Sequence, residues 1–382
     1  MTKTSKLHVR LETSPLASNN MSGVGYYTQL LADNLSTHPN IATDFVNFNF
    51  LNRQPEPVIT NRDKIHQNKL IPLRVYAKLQ SHGVAPPFDL FKKPVDLTIF
   101  TNFATWPTVN SKLTATVVHD LTYLHYPEMM EANNLPHLQR VVPYTLKNAD
   151  IIITVSNAIK QEMVTNLDVD PEKILVTPIP PPEKFKKKVT VDIRRRFKLK
   201  PKHYILAVGT IEPRKDIPTL VKAYRQLPDD LRKEYALVIA GGMGWGSQES
   251  ELALQSAQEA GENVYYVGYV SDKERIALYQ QASLYVSTSK YEGFGMPVLE
   301  AIASGTPAVL SDIPVFREVG GSITNYATAG NSKSFAKAIA ESLVDKKFKE
   351  NFQKNRQAHL DTFSWNKNID EVIMMTKRLL TS

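Results

Sequence analysis

From Tyr204 onward the chain alternates short apolar, β-branched runs with segments of helical spacing. The runs are YILAVG, ALVIAGG, NVYYVGYV, ASLYVSTS and TPAVLS. This alternation predicts a doubly wound parallel sheet. Because the runs are continuously apolar, helices are expected on both faces of that sheet. The first half repeats the theme with LHVRLE, TDFVNFNF, DLTIFTN, LTATVVHD and ADIIITVS as strands and a long helix from near Val24. Two α/β units therefore meet near TPIPPPEKFKKK, where Pro178, Pro180, Pro181 and Pro182 break regular structure. The last segment carries Ile369, Val372, Ile373 and Leu379 at helical spacing and has no strand after it. The stretch from Leu51 to Pro94 shows no clean periodicity, and reads either as a surface excursion or as a loop that gathers substrate contacts.

Composition narrows the class. At 382 residues, 42% hydrophobic and 22% charged, the chain suits two globular domains and excludes fibrous or disordered classes. No run approaches the ~20 apolar residues of a membrane span, and MTKTSKLHVRLE lacks an apolar signal core. A cytoplasmic protein is the expectation. The absence of cysteine removes disulfides and thiolate metal sites, and the nine histidines show no clustered ligand spacing, so no metal is expected. The net charge of +8 is localised: Lys184–Lys202 holds ten basic residues against Asp192, leaving the remainder near −1. That run is either a solvated connector with a short helix face or a docking surface for phosphates or anionic lipid headgroups.

The most informative stretch is STSKYEGFGMPVLEAIASGTPAV. It leaves the carboxyl end of a strand, passes Gly293, Phe294 and Gly295, and enters a helix whose first residue is expected at Pro297. The backbone N–H groups of those three residues suit an anionic phosphate at a strand's carboxyl edge. Glu292 lies in the loop and Glu300 is expected in the helix's first turn, where a carboxylate suits the local dipole. Two acids so placed fit sugar hydroxyls better than a metal; the plainer reading is a capped helix with a spare surface acid. A second element, VGTIEPRKD, also follows a strand, and its Arg214 and Lys215 stand where a phosphate would need cations. Taken alone, that pair reads as an ordinary basic surface; beside the Glu292 loop it becomes half of a diphosphate site.

EGFGMPVLEAIASGTP paired with VGTIEPRKD resembles the family four retaining glycosyltransferases (glycosyl transferases group 1), which have the GT-B fold of two Rossmann-like domains facing a cleft. YVGYVSDKERIALYQQASLYVSTS, TVSNAIKQEM, SGVGYYTQLL, VVHDLTYLHYPE and the terminal FSW extend the resemblance over most of the chain, thinly between Leu51 and Pro94. It implies an acceptor-side domain over 1–180, a nucleotide-sugar domain over 181–363, and a helix over 364–382 returning to the first domain. Glu300 would then bind the nucleotide ribose, Glu292 the donor sugar near the reacting carbon, and Lys215 with Arg214 the diphosphate. His119 would contact the donor sugar from the first domain, while Gly23 and Gly25 let the amino-terminal loop approach the phosphates. Many relatives carry arginine where Thr210 stands, which puts more of the phosphate neutralisation on Arg214 and Lys215.

The resemblance further implies transfer of a mannose- or glucose-type hexose from a GDP- or UDP-type sugar, with retention of configuration and without metal or cofactor. The acceptor would be a glycan or lipid-linked glycan, as in cell-surface polysaccharide assembly, and the enzyme could sit peripherally on a membrane through Lys184–Lys202. A nucleotide-sugar epimerase or hydrolase, and a non-catalytic sugar-nucleotide sensor, share the architecture. Other signals are weaker. SGVGYYT lacks the third glycine of a dinucleotide fingerprint, with Thr28 there, and Asp44 opens its strand rather than ending it. Asp168 and Asp170 imitate a metal-binding DxD but fall in a helix exit. The basic run contains only Phe185 and Phe197 as aromatics, so no stacking platform for nucleic acid is evident.

Overall fold

The computed structural model describes residues 6–17, 22–52, 59, 65–69, 71–81 and 84–381. The chain forms two compact units. The first comprises residues up to Leu121, Pro136–Ile179 and the tail from Ser364; the second comprises Thr122–Leu135 and Pro180–Phe363. The break between Ile179 and Pro180 falls inside the proline cluster, where missing N–H groups and fixed φ angles prevent regular pairing.

The first unit holds the strands β1 (Leu7–Glu12), β2 (Ile41–Phe48), β3 (Ile65–Asn68), β4 (Val95–Phe100), β5 (Ser111–Val118), β6 (Ile151–Thr154) and β7 (Ile174–Val176). They pair in parallel in the order β3-β2-β1-β4-β5-β6-β7. Strand order reverses between β1 and β4, the place where open α/β sheets leave a crevice at their carboxyl ends. The helix Gly23–Thr37 follows β1 and is capped by Ser22, whose Oγ accepts from the Gly25 N–H at 3.2 Å. Gly23 and Gly25 therefore lie in the first turn of a helix rather than in a loop, because the Ser22 cap starts the helix ahead of them. The closing helix, Trp365–Thr381, buries Ile369, Val372 and Ile373 in this unit. The Tyr27 ring packs on Trp365, and Asn368 Nδ2 donates to Pro178 O.

The second unit holds β8 (His203–Val208), β9 (Tyr235–Ala240), β10 (Val264–Gly268), β11 (Leu284–Ser287), β12 (Ala308–Ser311) and β13 (Asn325–Ala327). All pair in parallel in the order β10-β9-β8-β11-β12-β13, with the reversal between β8 and β11. Ile205, Leu237, Val286 and Val309 from these strands join Leu220, Phe335 and Ile339 from the helices in one core. Both faces are covered, so the apolar runs are as continuous as double-sided burial requires.

Residues 122–135 group with the second unit, although the sequence places them inside 1–180. The cause is side-chain contact: the rings of His125 and Tyr126 pack on Tyr291. The Leu51–Pro94 stretch lies partly outside the described residues; within them it contributes β3 and the helix Leu73–Ser81. Among the described residues, no helix is long and apolar enough to cross a membrane.

Candidate active site

In the second unit the loops after β8 and β11 meet at the strand-order reversal. After β8 the chain passes Gly209 into the short turn Pro213–Lys215, which carries Arg214 and Lys215. After β11 it runs through Thr288 to Gly295 and enters the helix Met296–Ala303. The two loops are stitched together: the Lys290 N–H donates to Arg214 O at 2.8 Å, and Thr288 Oγ1 donates to Lys215 O at 2.8 Å. A cavity there is lined by Gly209, Lys215, Ser287, Thr288 and Ser289, among others.

Glu292 is the centre of the cluster. It is 6% exposed, and its carboxylate pairs with Arg214 through Oε2 and with Lys215 through Oε1. Ser289 Oγ donates to Oε1 at 2.9 Å. Burial alone would raise its pKa, but the adjacent Arg214 and Lys215 win and hold it down to about 2. Arg214 is fixed from the other side by Glu212, 2% exposed, at 2.6 Å from Nε. Two carboxylates thus balance two cations, of which Lys215 lines the cavity. A buried charge pair of this kind costs several kcal/mol to break one-sidedly, so the loop geometry is firmly set.

Glycines make the close approaches possible. A Cβ on Gly241, just past β9, would lie 1.9 Å from Gly209 O, so only glycine lets the two strand ends touch. Gly295 has φ 89° and caps the helix, and a Cβ there would meet Phe316 at 2.7 Å. This left-handed turn starts the helix at Met296, one residue before the expected Pro297. Glu300 is accordingly the fifth helical residue, beyond the first turn where the sequence placed it.

Glu300 is 3% exposed, and its Oε1 lies 3.3 Å from Arg275 Nη1. Its Oε2 is buried and, among the described residues, has no partner in hydrogen-bond geometry, with the Tyr279 hydroxyl nearby. Burial pushes its pKa up, against the pull of Arg275. Arg275 is delivered by the helix Asp272–Gln281, whose start is a capping box: Glu274 Oε2 accepts from the Ser271 N–H at 2.9 Å, and Ser271 Oγ accepts from the Glu274 N–H. Of the three residues between the glutamates' elements, Phe294 is buried against Phe363, so its ring is structural.

In the first unit, His119 follows β5 and its Nε2 lies 2.8 Å from Thr101 O. A carbonyl only accepts, so Nε2 carries the proton and Nδ1 is the acceptor when the ring is neutral. Burial lowers the pKa of His119, opposed by Thr101 and Asp120, which favours that neutral form. Tyr27, on the helix that Gly23 and Gly25 begin, packs edge-on against His119 at 5.2 Å. These three sequence-chosen residues therefore share the carboxyl edge of the first sheet.

Sequence reasoning missed Glu212, Ser289 and Arg275, although all three lie within motifs it quoted. It also passed over the GGMGWG segment after β9, whose repeated glycines were the available signal. Gly244 donates its N–H to Ile211 O at 2.9 Å, so this loop braces the Arg214 turn. The discounted Asp168 and Asp170 do end a helix and cap the next turn, Asp168 with φ 51° and Asp170 accepting from the Glu172 N–H. In the basic run, Phe185, Ile193 and Leu199 are buried anchors, and Lys184, Lys186 and Arg196 pair with Asp272, Glu183 and Glu274.

Residues 190–359, which carry the whole of this carboxylate and cation cluster, match the model of glycosyl transferases group 1. The match lies within the second unit. The chain is similar to O-antigen chain mannosyltransferase B of Escherichia coli, 29% identical over 255 residues. That match covers 65% of this chain and 66% of the relative. Serotype-specific mannosyltransferase WbdA of Escherichia coli is 29% identical over 289 residues, 70% of this chain but 34% of the relative. The match thus spans less than two thirds of the length of either. HepE of Anabaena, solved in complex with UDP-glucose, superposes with TM-score 0.68 at 16% identity over 98% of this chain and 100% of HepE. The fold is GT-B: two Rossmann-like parallel-sheet units, of which the group 1 domain is the second.

Proposed function

We propose that the chain is a hexosyltransferase of cell-surface polysaccharide assembly. It would move a mannose- or glucose-type residue from a GDP- or UDP-type sugar to a glycan or lipid-linked glycan. The observation that carries this reading is Glu292, held buried and ionised by Arg214 and Lys215 at the sheet's reversal point. The matched relatives named as mannosyltransferases support the reaction class.

In this reading Arg214 and Lys215 take the diphosphate, with the N–H groups at Gly293–Gly295 as further donors to phosphate oxygens. Glu300, through the buried Oε2, accepts from ribose hydroxyls. Glu292 orients the donor sugar. Configuration is retained: the bond from the anomeric carbon to the diphosphate breaks, the acceptor oxygen bonds on the same face, and its proton passes to the leaving phosphate oxygen. Two fixed cations stabilise that leaving charge, the work a metal does in other designs, and no metal or cofactor is needed. The exposed cations Lys187, Lys188, Arg195 and Lys202 give the basic run its role, peripheral contact with an anionic membrane from the cytoplasmic side.

The test is a panel of GDP- and UDP-sugars by thermal shift, followed by transfer to glycan acceptors with product linkage read by NMR. Binding at about 100 Kd stabilises by ~2.7 kcal/mol. A chain that no nucleotide sugar stabilises ends the proposal.

A further inference from the structure

We infer that residues 122–135 form a clip that positions both loops of the donor site. Tyr126, His125 and Trp245 are then positioning residues for Glu292. The inference rests on the donor-site reading above, and names part of what holds that site in shape.

The clip engages each loop by a different contact. Tyr291, the residue before Glu292, is 8% exposed, and its ring packs against His125 at 5.7 Å and Tyr126 at 5.5 Å. The carbonyl of Tyr291 also accepts from Arg214 Nη1 at 3.2 Å. Movement of Tyr291 therefore shifts Glu292 and the seat of Arg214 together. On the other side, Trp245 Nε1 donates to Met129 O at 2.8 Å. Trp245 belongs to the glycine loop after β9, which is tied to the Arg214 turn by Ile211 N–H to Gly242 O and Gly244 N–H to Ile211 O, each 2.9 Å. One short segment, built from the helix Thr122–His125 and the turn Pro127–Met129, thus grips the carboxylate loop by aromatic rings and, by a hydrogen bond, the glycine loop that braces the cation turn.

None of His125, Tyr126 and Trp245 pairs with Glu292, Arg214 or Lys215 through any of these contacts. The clip acts on the direction in which those groups point. Rate depends steeply on such alignment, and a misplacement of ~1 Å can cost ~10²-fold. The ribose is held elsewhere, by Glu300, so loosening the clip lowers turnover more than it lowers nucleotide affinity.

Turnover of UDP-glucose and GDP-mannose is read as release of nucleoside diphosphate, and Kd for UDP and GDP by calorimetry. Tyr126→Ala and Trp245→Phe are each expected to lower kcat by about tenfold to ~10²-fold, with a smaller change in Kd. Tyr126→Phe keeps the ring and should keep wild-type kcat. Because both positions act through one segment, the double variant should lose less than the product of the single losses. Hydrogen exchange of residues 290–295 should quicken in Tyr126→Ala and stay as wild type in Tyr126→Phe. Wild-type kcat in Tyr126→Ala, or exchange that does not change, overturns the clip. A wild type that turns over neither sugar removes the donor reading instead, and the exchange measurement then decides the clip alone.

Discussion

Glu292 and Lys215 are joined as an ion pair, with Lys215 lining the cavity at the sheet's reversal, so in the proposed donor site an anion already stands where a diphosphate would arrive. The phosphates must share or displace that carboxylate. Glu292→Gln is therefore expected to bind free UDP or GDP up to ~10-fold more tightly, since two cations lose a competing charge. The same variant should lose ~10²–10³ in kcat, because the sugar is no longer oriented. Calorimetry and initial rates measure the two effects; weaker nucleotide binding in the variant refutes the displacement argument.

Glu300 makes the opposite prediction. Its Oε2 is buried and, among the described residues, meets no donor in hydrogen-bond geometry, and in the proposed site a ribose hydroxyl would supply one. Hydrogen bonds to a charged group contribute ~1.5–3 kcal/mol, so Glu300→Ala should weaken nucleotide binding by at least ~10-fold with a smaller change in kcat. Unchanged calorimetric affinity would remove the ribose assignment.

Glu12 ends β1 in the first unit, and burial raises its pKa to about 7, partly offset by the Ser14 N–H at 2.8 Å. The folded chain thus keeps a proton that the unfolded chain releases near 4.5. Stability from this group is complete below that value and declines as pH rises to 7. Glu12→Gln carries no charge at any pH, so its stability advantage over wild type should grow from pH 5 to pH 8, reaching at most about 3 kcal/mol. Denaturant melts at both pH values check this, and an advantage that shrinks with pH contradicts it.

Chelation should leave transfer unaffected, because Arg214 and Lys215 already supply two fixed positive charges beside the phosphate site. Among the described residues no group of three or more His, Asp or Glu is arranged to hold a metal ion. Rates with EDTA and with added magnesium or manganese are expected to agree. Loss with EDTA and recovery with either ion would overturn metal independence.

The basic run is tested by vesicle co-sedimentation. Lys187, Lys188, Arg195 and Lys202 changed together to glutamine should abolish sedimentation with phosphatidylglycerol vesicles, given ~1 kcal/mol per basic residue near an anionic surface. Transfer to a soluble acceptor should persist. Sedimentation equal to wild type assigns these side chains to solubility alone.

Much of this was legible in the chain, and the misses have physical causes. The central strands announce themselves because double-sided burial demands continuous apolar residues, as in β8, β9 and β11. β3 and β13 escaped detection; each is an edge strand of three or four residues, and IHQN in β3 is polar because one side lacks a partner. The Glu292 loop and the Arg214–Lys215 turn could be set opposite each other in advance because each follows a strand of the same sheet. Glu212 and Ser289 could not, since nothing local marks an acid or hydroxyl as the partner of a residue in another loop. The attachment of 122–135 to the second unit depends on Tyr126 meeting Tyr291, a contact with no periodic trace.

The order of the pieces along the chain sets a timetable for synthesis. The first unit is not finished when Ile179 leaves the ribosome, since Trp365 and Asn368, which pack on Tyr27 and Pro178, are made after the entire second unit. At ~5–20 residues per second the intervening 184 residues take roughly 10–40 s. Throughout that interval the nascent amino-terminal sheet lacks its last helix and exposes the apolar surface that Ile369, Val372 and Ile373 later cover. Chaperone dependence during translation, and poor yield from any truncation that ends before Trp365, follow from the position of one helix.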